Sequence, residues 1–211
     1  MRYLLFIFLF LSSFAWSARV TPEAALQKLI EGNDRFMKSA LEHPHREDER
    51  RTETAIAQKP FAVVLGCSDS RVPPEIIFDQ GIGDLFIVRV AGNVLGPIEQ
   101  ASIDFAVLHL GASLIVVLGH DKCGAVSAVV TGQTEGIEPI AKRIEPAIEE
   151  AKKQKGEVLE NAIKDNVLHV VGQLKGADEF EELIEDKKLG VVGGVYDLQE
   201  GKVQIIEQKK P

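Results

Sequence analysis

The chain has 211 residues, 45% hydrophobic and 27% charged, with a formal net charge of −8. That length supports one sizeable domain with its own core, and the composition is ordinary for a globular protein. The acidic balance, with no basic block interleaved with aromatics, argues against a nucleic-acid or anionic-membrane partner.

Residues 1–17 read as a secretory signal peptide. Arg2 is a minimal positive n-region, residues 4–11 (LLFIFLFL) an uncharged h-region, and Ala15 and Ser17 are small residues preceding a cleavage site before Ala18. The rival is an uncleaved anchor, but residues 3–18 supply only 16 uncharged positions, short for a membrane span. The expectation is a leader over 1–17 and a single domain over 18–211, periplasmic or secreted, with no membrane contact after cleavage.

Thr21 and Pro22 form a helix start, an N-cap followed by proline at the first helical position. Ala25, Leu26, Leu29, Ile30 and Phe36 extend a helical apolar stripe towards residue 38. Residues 41–51 are very polar, a loop or solvated helix start, and His43 and His45 belong to that surface because no further ligand types cluster with them. Residues 61–65 read as a strand. Pro73 and Pro74 then forbid a continued ladder and suit a turn into a short helix. A turn at 81–84 leads to a strand over 85–90, and a helix over 99–110 ends at Gly111. Residues 114–118 form a third strand, and the next helix starts at Gly124. Helices follow over 140–155 and 158–175, and a short acidic one over 179–188. Strands are expected over 189–192, 195–198 and 203–206, the last two joined by a hairpin turn at 199–202. The alternation predicts an α/β domain: a mostly parallel central sheet flanked by helices, with the C-terminal hairpin strand at its edge.

The chain has two cysteines, and each stands just beyond one of the apolar strands. Cys67-Ser68-Asp69-Ser70-Arg71 follows the first, and His120-Asp121-Lys122-Cys123 follows the third. Open α/β sheets place their sites beyond strand C-termini. Cys67, His120 and Cys123 make a Cys2His set with a fourth position open, the coordination of a catalytic rather than a structural zinc. An exported chain also admits a Cys67–Cys123 disulfide. A bridge, however, has no use for His120 three residues before Cys123, nor for Asp69 and Arg71 beside Cys67.

If the segment after Cys67 stays extended, Asp69 and Arg71 share its side. Asp69 could then fill the fourth metal position, or be held off it by a charge-assisted fork from Arg71. That choice is a physical basis for an open–closed switch. A metal with an open position acidifies its bound water. Two thiolate ligands donate more charge than imidazoles do, so activity is expected to rise above neutral pH.

These residues resemble the β-class carbonic anhydrases. The resemblance rests on C-S-D-S-R-V from Cys67, G-D-L-F-I-V-R from Gly83, A-G-N from Ala91 and G-H-D-K-C-G from Gly119, and it extends over about residues 21–206. It implies one zinc per chain on Cys67, His120 and Cys123, with Asp69 as fourth ligand in a closed form and an Asp69–Arg71 catalytic dyad. The implied reaction is reversible hydration of CO2 to bicarbonate and a proton. The resemblance also makes Gln58, Phe86 and Gly124 substrate-side residues, with Gln58 and Phe86 able to serve a partner's zinc. Phe105 stands where plant-type members carry Tyr, so a hydroxyl contact there is absent; Val64 stands where allosteric members carry a Trp of their regulatory bicarbonate site, and that absence leans towards a plant-like subgroup. Family members are homodimers or homotetramers, with the N-terminal helix packed on the partner. A same-fold hydrolase of CS2 or COS and a non-catalytic zinc-stabilised dimer are the alternatives. A dinucleotide enzyme is disfavoured because no G-x-G-x-x-G follows the first strand.

Overall fold

In the computed structural model, residues 19–206 are described, so the leader expected over 1–17 lies outside the described residues. Five strands form one sheet: β1 (Ala62–Gly66), β2 (Leu85–Arg89), β3 (Leu114–His120), β4 (Gly190–Tyr196) and β5 (Val203–Ile206). Their order is β2-β1-β3-β4-β5, with β1 to β4 parallel and β5 antiparallel to β4 at the edge. β1 and β3 are buried along their whole length, as expected of parallel strands covered on both faces. Side chains alternate between two cores. Val63, Leu65, Ile115 and Val117 pack with Ile103, Val167, Val171 and Leu174 on one face. Val64, Val116 and Leu118 pack with Ala25, Leu29, Ile77 and Phe78 on the other.

The helices are α1 (Pro22–Met37), α2 (Asp48–Thr54), α3 (Pro74–Ile77), α4 (Pro97–Asp104), α5 (Gly124–Thr131), α6 (Glu138–Ala151), α7 (Val158–Lys175) and α8 (Glu181–Glu185). Thr21 caps α1 as its sequence predicts, its Oγ1 accepting from the Ala24 amide at 3.2 Å. The helix expected over 99–110 starts earlier, at Pro97, and its last turn widens to a π-helix over Phe105–His109.

Near the C-terminus the structure corrects the sequence reading. The two strands expected over 189–192 and 195–198 are one strand, β4, in register with β3 from Leu114↔Gly190 to His120↔Tyr196. Gly193 and Gly194 do not break it. A Cβ on Gly193 would lie 2.8 Å from Val167 Cγ1, so glycine is required there for α7 to approach the sheet closely. Asp197 and Leu198 belong instead to the hairpin turn, where Asp197 Oδ1 accepts from the Gln199 and Glu200 amides at 2.8 and 2.6 Å.

The polar segment before α2 is tied down by one buried carboxylate. Asp79 is 0% exposed and accepts from Arg35 Nε at 2.7 Å and from the Glu42 and His43 amides at 3.0 and 3.1 Å. Burial pushes its carboxyl up, but Arg35 and the two amides outweigh burial and hold it below the usual range. Its stabilising contribution is therefore present above the unfolded value, about pH 4, and is lost as pH falls through the lower folded value. Asp79→Ala removes the buried acceptor of the Arg35 guanidinium and of two amides, and we expect it to cost about 2–3 kcal/mol in urea unfolding at neutral pH. A loss below 1 kcal/mol, on the order of an exposed ion pair, would contradict this.

Candidate metal centre

The chain reaches β2 on one side of β1, then crosses to β3 on the other. The crevice beyond the C-terminal ends of β1 and β3 is thus the topological switch point, where doubly wound sheets bind ligands. Cys67 follows β1 directly and His120 is the last residue of β3. Lys122, with φ +51°, takes the left-handed turn that lets the chain double back after His120. Cys123 then stands at the N-cap of α5. The Sγ, imidazole nitrogen and Sγ of Cys67, His120 and Cys123 lie within 4.8 Å of one another, and all three residues are buried.

Both cysteines are free thiols, so the disulfide alternative is not what the fold builds. Each sulfur sits among backbone donors. Cys67 Sγ accepts from the Asp69 amide at 3.4 Å and the Gly92 amide at 3.3 Å. Cys123 Sγ faces the Ala125 and Val126 amides in the first turn of α5. The two sulfurs are hydrogen-bonded to each other. The hydrogen bond from the Cys123 thiol, with His120 and the Asp69 and Gly92 amides, pulls Cys67 down against the opposing effect of burial, and the Cys67 thiolate together with burial pushes Cys123 up. Burial lowers His120, but the adjacent Cys67 thiolate outweighs burial and the net shift is upward.

His120 Nδ1 lies 2.8 Å from the Asp121 carbonyl, and as donor there it leaves Nε2 as the bare lone pair. Nε2 is buried with no nitrogen or oxygen partner, and its neighbours are the two sulfurs of the donor set, within 4.8 Å. A buried ring nitrogen left without such a partner is costly unless something coordinates it. The donor set, its burial and this orphan nitrogen fit a zinc ion.

Asp69 and Arg71 form the pair their spacing suggests, though not by the expected route. The segment after Cys67 is not extended: the Val72 amide closes a turn onto the Asp69 carbonyl at 3.0 Å. Arg71 folds back and donates from Nε to Asp69 Oδ1 at 2.9 Å and from Nη2 to Oδ2 at 2.7 Å, and its amide donates to Oδ1 at 3.0 Å. Asp69 Oδ2 is 3.8 Å from His120 Nε2, so the carboxylate borders the metal site while Arg71 holds it. The Arg71 side chain is the largest influence on Asp69 and holds it well below the usual carboxylate range despite partial burial.

The other expected site residues divide. Gly124 is exposed beside Cys123, at the start of α5. Phe86 lies near the N-terminal end of β2, paired with Val63 and packed against Phe105 with ring centroids 6.3 Å apart and planes tilted by 51°. Gln58 is exposed just before β1, by an open depression lined by Thr54, Ile56, Ile82 and Gly83. Gln58 and Phe86 therefore sit towards the opposite end of the sheet from this chain's own donor set. Arg89 has no role in the sequence reading. It clamps the loop through Nε to the Cys67 carbonyl at 2.9 Å and Nη2 to the Asp69 carbonyl at 2.6 Å. A charge ending the apolar run of β2 is the signal that could have found it.

A buried Cys2His set at the switch point of a parallel sheet, bordered by an arginine-held carboxylate, defines a mononuclear zinc enzyme of the α/β class. The sequence profile named carbonic anhydrase matches residues 62–203. Carbonic anhydrase 2 of Mycobacterium tuberculosis is 38% identical over 188 residues, 86% of this chain and 91% of that protein. A carbonic anhydrase of Mycolicibacterium smegmatis is 39% identical over 191 residues, 87% of this chain and 93% of that protein. The crystal structure of the β-carbonic anhydrase CafA of Aspergillus fumigatus superposes with a TM-score of 0.69 at 30% identity, over 90% of this chain and 92% of that one. The chain belongs to the β-class carbonic anhydrase family, whose members are zinc lyases.

Proposed function

We propose that this enzyme interconverts CO2 and bicarbonate with a zinc ion held by Cys67, His120 and Cys123, under the control of Asp69 and Arg71. The observation that carries the reading is Asp69 Oδ2 at 3.8 Å from the unpartnered His120 Nε2, with Arg71 gripping the same carboxylate. Bound zinc supplies the Lewis acidity that makes water a nucleophile near neutral pH. The protein's residues do the rest. Asp69, ionised by Arg71, is the acceptor that orients the reacting water and fixes its lone pair towards carbon. Arg71 sets the direction the carboxylate faces: held, it leaves the reacting position open; released, it lets Asp69 close on the three donors. The amides facing Cys67 and Cys123 favour the thiolate form of each sulfur, which the charge of a bound zinc would complete.

Gln58 and Phe86 act on the zinc of a partner subunit, in a homodimer or homotetramer. Their place at the other end of the sheet supports this, as do the half-exposed Phe105 beside Phe86 and the exposed Ile56 near Gln58. The leader pattern of residues 1–17 supports an exported enzyme, and among the described residues no helix is long and apolar enough to cross a membrane. Val64, where the allosteric members carry Trp, supports the plant-like subgroup.

Arg71→Ala tests the dyad. Zinc content is expected to stay at parent level, while CO2 hydration falls roughly 10²-fold as Asp69 loses its orientation. Full activity in this variant would remove the switch from the mechanism.

A further inference from the structure

We propose that Asn166, on α7, is a positioning residue for the metal centre: it holds the Gly92 turn so that the Gly92 amide stays aimed at the Cys67 sulfur. This rests on the zinc reading above. Asn166 is 1% exposed, and its Nδ2 donates to the Gly92 carbonyl at 2.8 Å across 74 residues of sequence. Gly92 in turn donates its amide to Cys67 Sγ at 3.3 Å. The path from helix to sulfur thus runs through one residue's two backbone groups.

That residue needs holding. Gly92 has φ +73° and ψ +15° within a short 3₁₀ turn over Ala91–Asn93, and Asn93 beside it has φ +43°. Glycine is the residue with the widest freedom about φ and ψ, so a single glycine peptide swings easily unless anchored. Packing restrains it on one side, where a Cβ would meet Ile144 Cδ1 at 2.9 Å and Ala125 Cβ at 3.3 Å. Asn166 supplies the directional restraint on the other.

Asn166 is hard to explain as a core residue. Its neighbours on the buried side of α7, namely Ile163, Val167 and Val170, are all apolar. A buried side-chain amide is unfavourable without hydrogen bonds, and Asn166 Oδ1 has no partner. An apolar side chain would suit that face better, unless the bond to Gly92 is what the position is for. Gly92 is the partner one bond removed from the ligand, the kind that orients it and tunes its donation to the metal, and Asn166 fixes Gly92 from one bond further out.

The test uses cobalt(II) in place of zinc, which reports both affinity and the thiolate-to-metal charge-transfer band. Parent, Asn166→Leu, Asn166→Asp and Val170→Ala are compared by chelator competition and absorption spectra. Asn166→Leu keeps the volume and removes the donor; Asn166→Asp keeps the shape and turns an acceptor towards the Gly92 carbonyl, so either one that folds answers the question. Val170→Ala loosens α7 a turn away without touching Gly92. The expected result is cobalt binding weakened up to roughly 10-fold in the Asn166 variants, the low end of what loss of a ligand's direct outer partner costs, with the band moved to lower energy as the Gly92 amide swings away from the sulfur, and neither change in Val170→Ala. Parent-like affinity and spectrum in a folded Asn166 variant overturn the proposal, and so does an equal change in Val170→Ala. A parent chain that takes up no cobalt overturns the zinc reading itself and this inference with it.

Discussion

His120→Ala is expected to strip the metal from the protein and to abolish CO2 hydration. His120 is 0% exposed at the end of β3, and its Nδ1 lies at hydrogen-bond distance from the Asp121 carbonyl. Its Nε2 is therefore a preformed donor with no other occupation in the fold. Removing it leaves two sulfurs and a cavity. The loss in zinc affinity should exceed the roughly 10–100-fold that follows removal of a ligand's outer partner. Stability reports the same loss independently. At free zinc near a thousand times its dissociation constant, binding stabilises the parent by about 4 kcal/mol, so a chelator should lower the parent's melting temperature and leave the variant's unchanged. Stoichiometric zinc in purified His120→Ala would contradict the assigned ligand set.

Asp69→Asn is expected to keep the metal and lose the reaction. The amide is nearly isosteric with the carboxylate, but it carries no charge and turns an NH2 group towards either Arg71 or the site. Loss of a positioned proton acceptor at a reacting centre lowers turnover by about 10²- to 10⁴-fold. The pH profile separates this from a titration effect. The Arg71 fork, opposed only in part by burial, keeps Asp69 below the usual carboxylate range. It is therefore charged throughout about pH 6–9, and a rise in parent activity across that window is not the ionisation of Asp69. Its contribution to folding is complete above the unfolded value near pH 4, and is lost only as pH falls through the lowered folded value. Parent-like turnover in Asp69→Asn, with zinc bound, would contradict its role.

Cys67, His120 and Cys123 could be read from the sequence because each closes or follows an apolar run, and a run of that kind ends where its sheet ends. What the pattern does not carry is strand order. That β1 and β3 are neighbours, and so bring residues 67 and 120 together, is a long-range pairing fixed by the register Ala62↔Leu114 to Gly66↔Leu118. The Asp69–Arg71 pair was foreseeable from charge and proximity. The turn that forms it was not, because the alternation argument assumes an extended chain where Val72 closes a turn on Asp69. Gly193 and Gly194 look like a break in sequence, since two glycines punctuate as readily as they pack; only the approach of Val167 shows which they do here. Arg89 and Asn166 act through backbone carbonyls, which no side-chain motif records. Their one trace is a polar residue where an apolar one fits: Arg89 at the end of β2, Asn166 among the valines of α7.

The central claim is that the three donors hold a catalytic zinc which Asp69 serves. Stopped-flow CO2 hydration, with zinc and free thiols counted on the same sample, tests it most directly. The predicted result is one zinc per chain and fast hydration that rises above neutral pH. One zinc with no hydration at any pH would contradict the claim and send the search to CS2, COS or a binding role. No zinc and no free thiol would mean Cys67 and Cys123 are bridged, and the metal centre itself would fall.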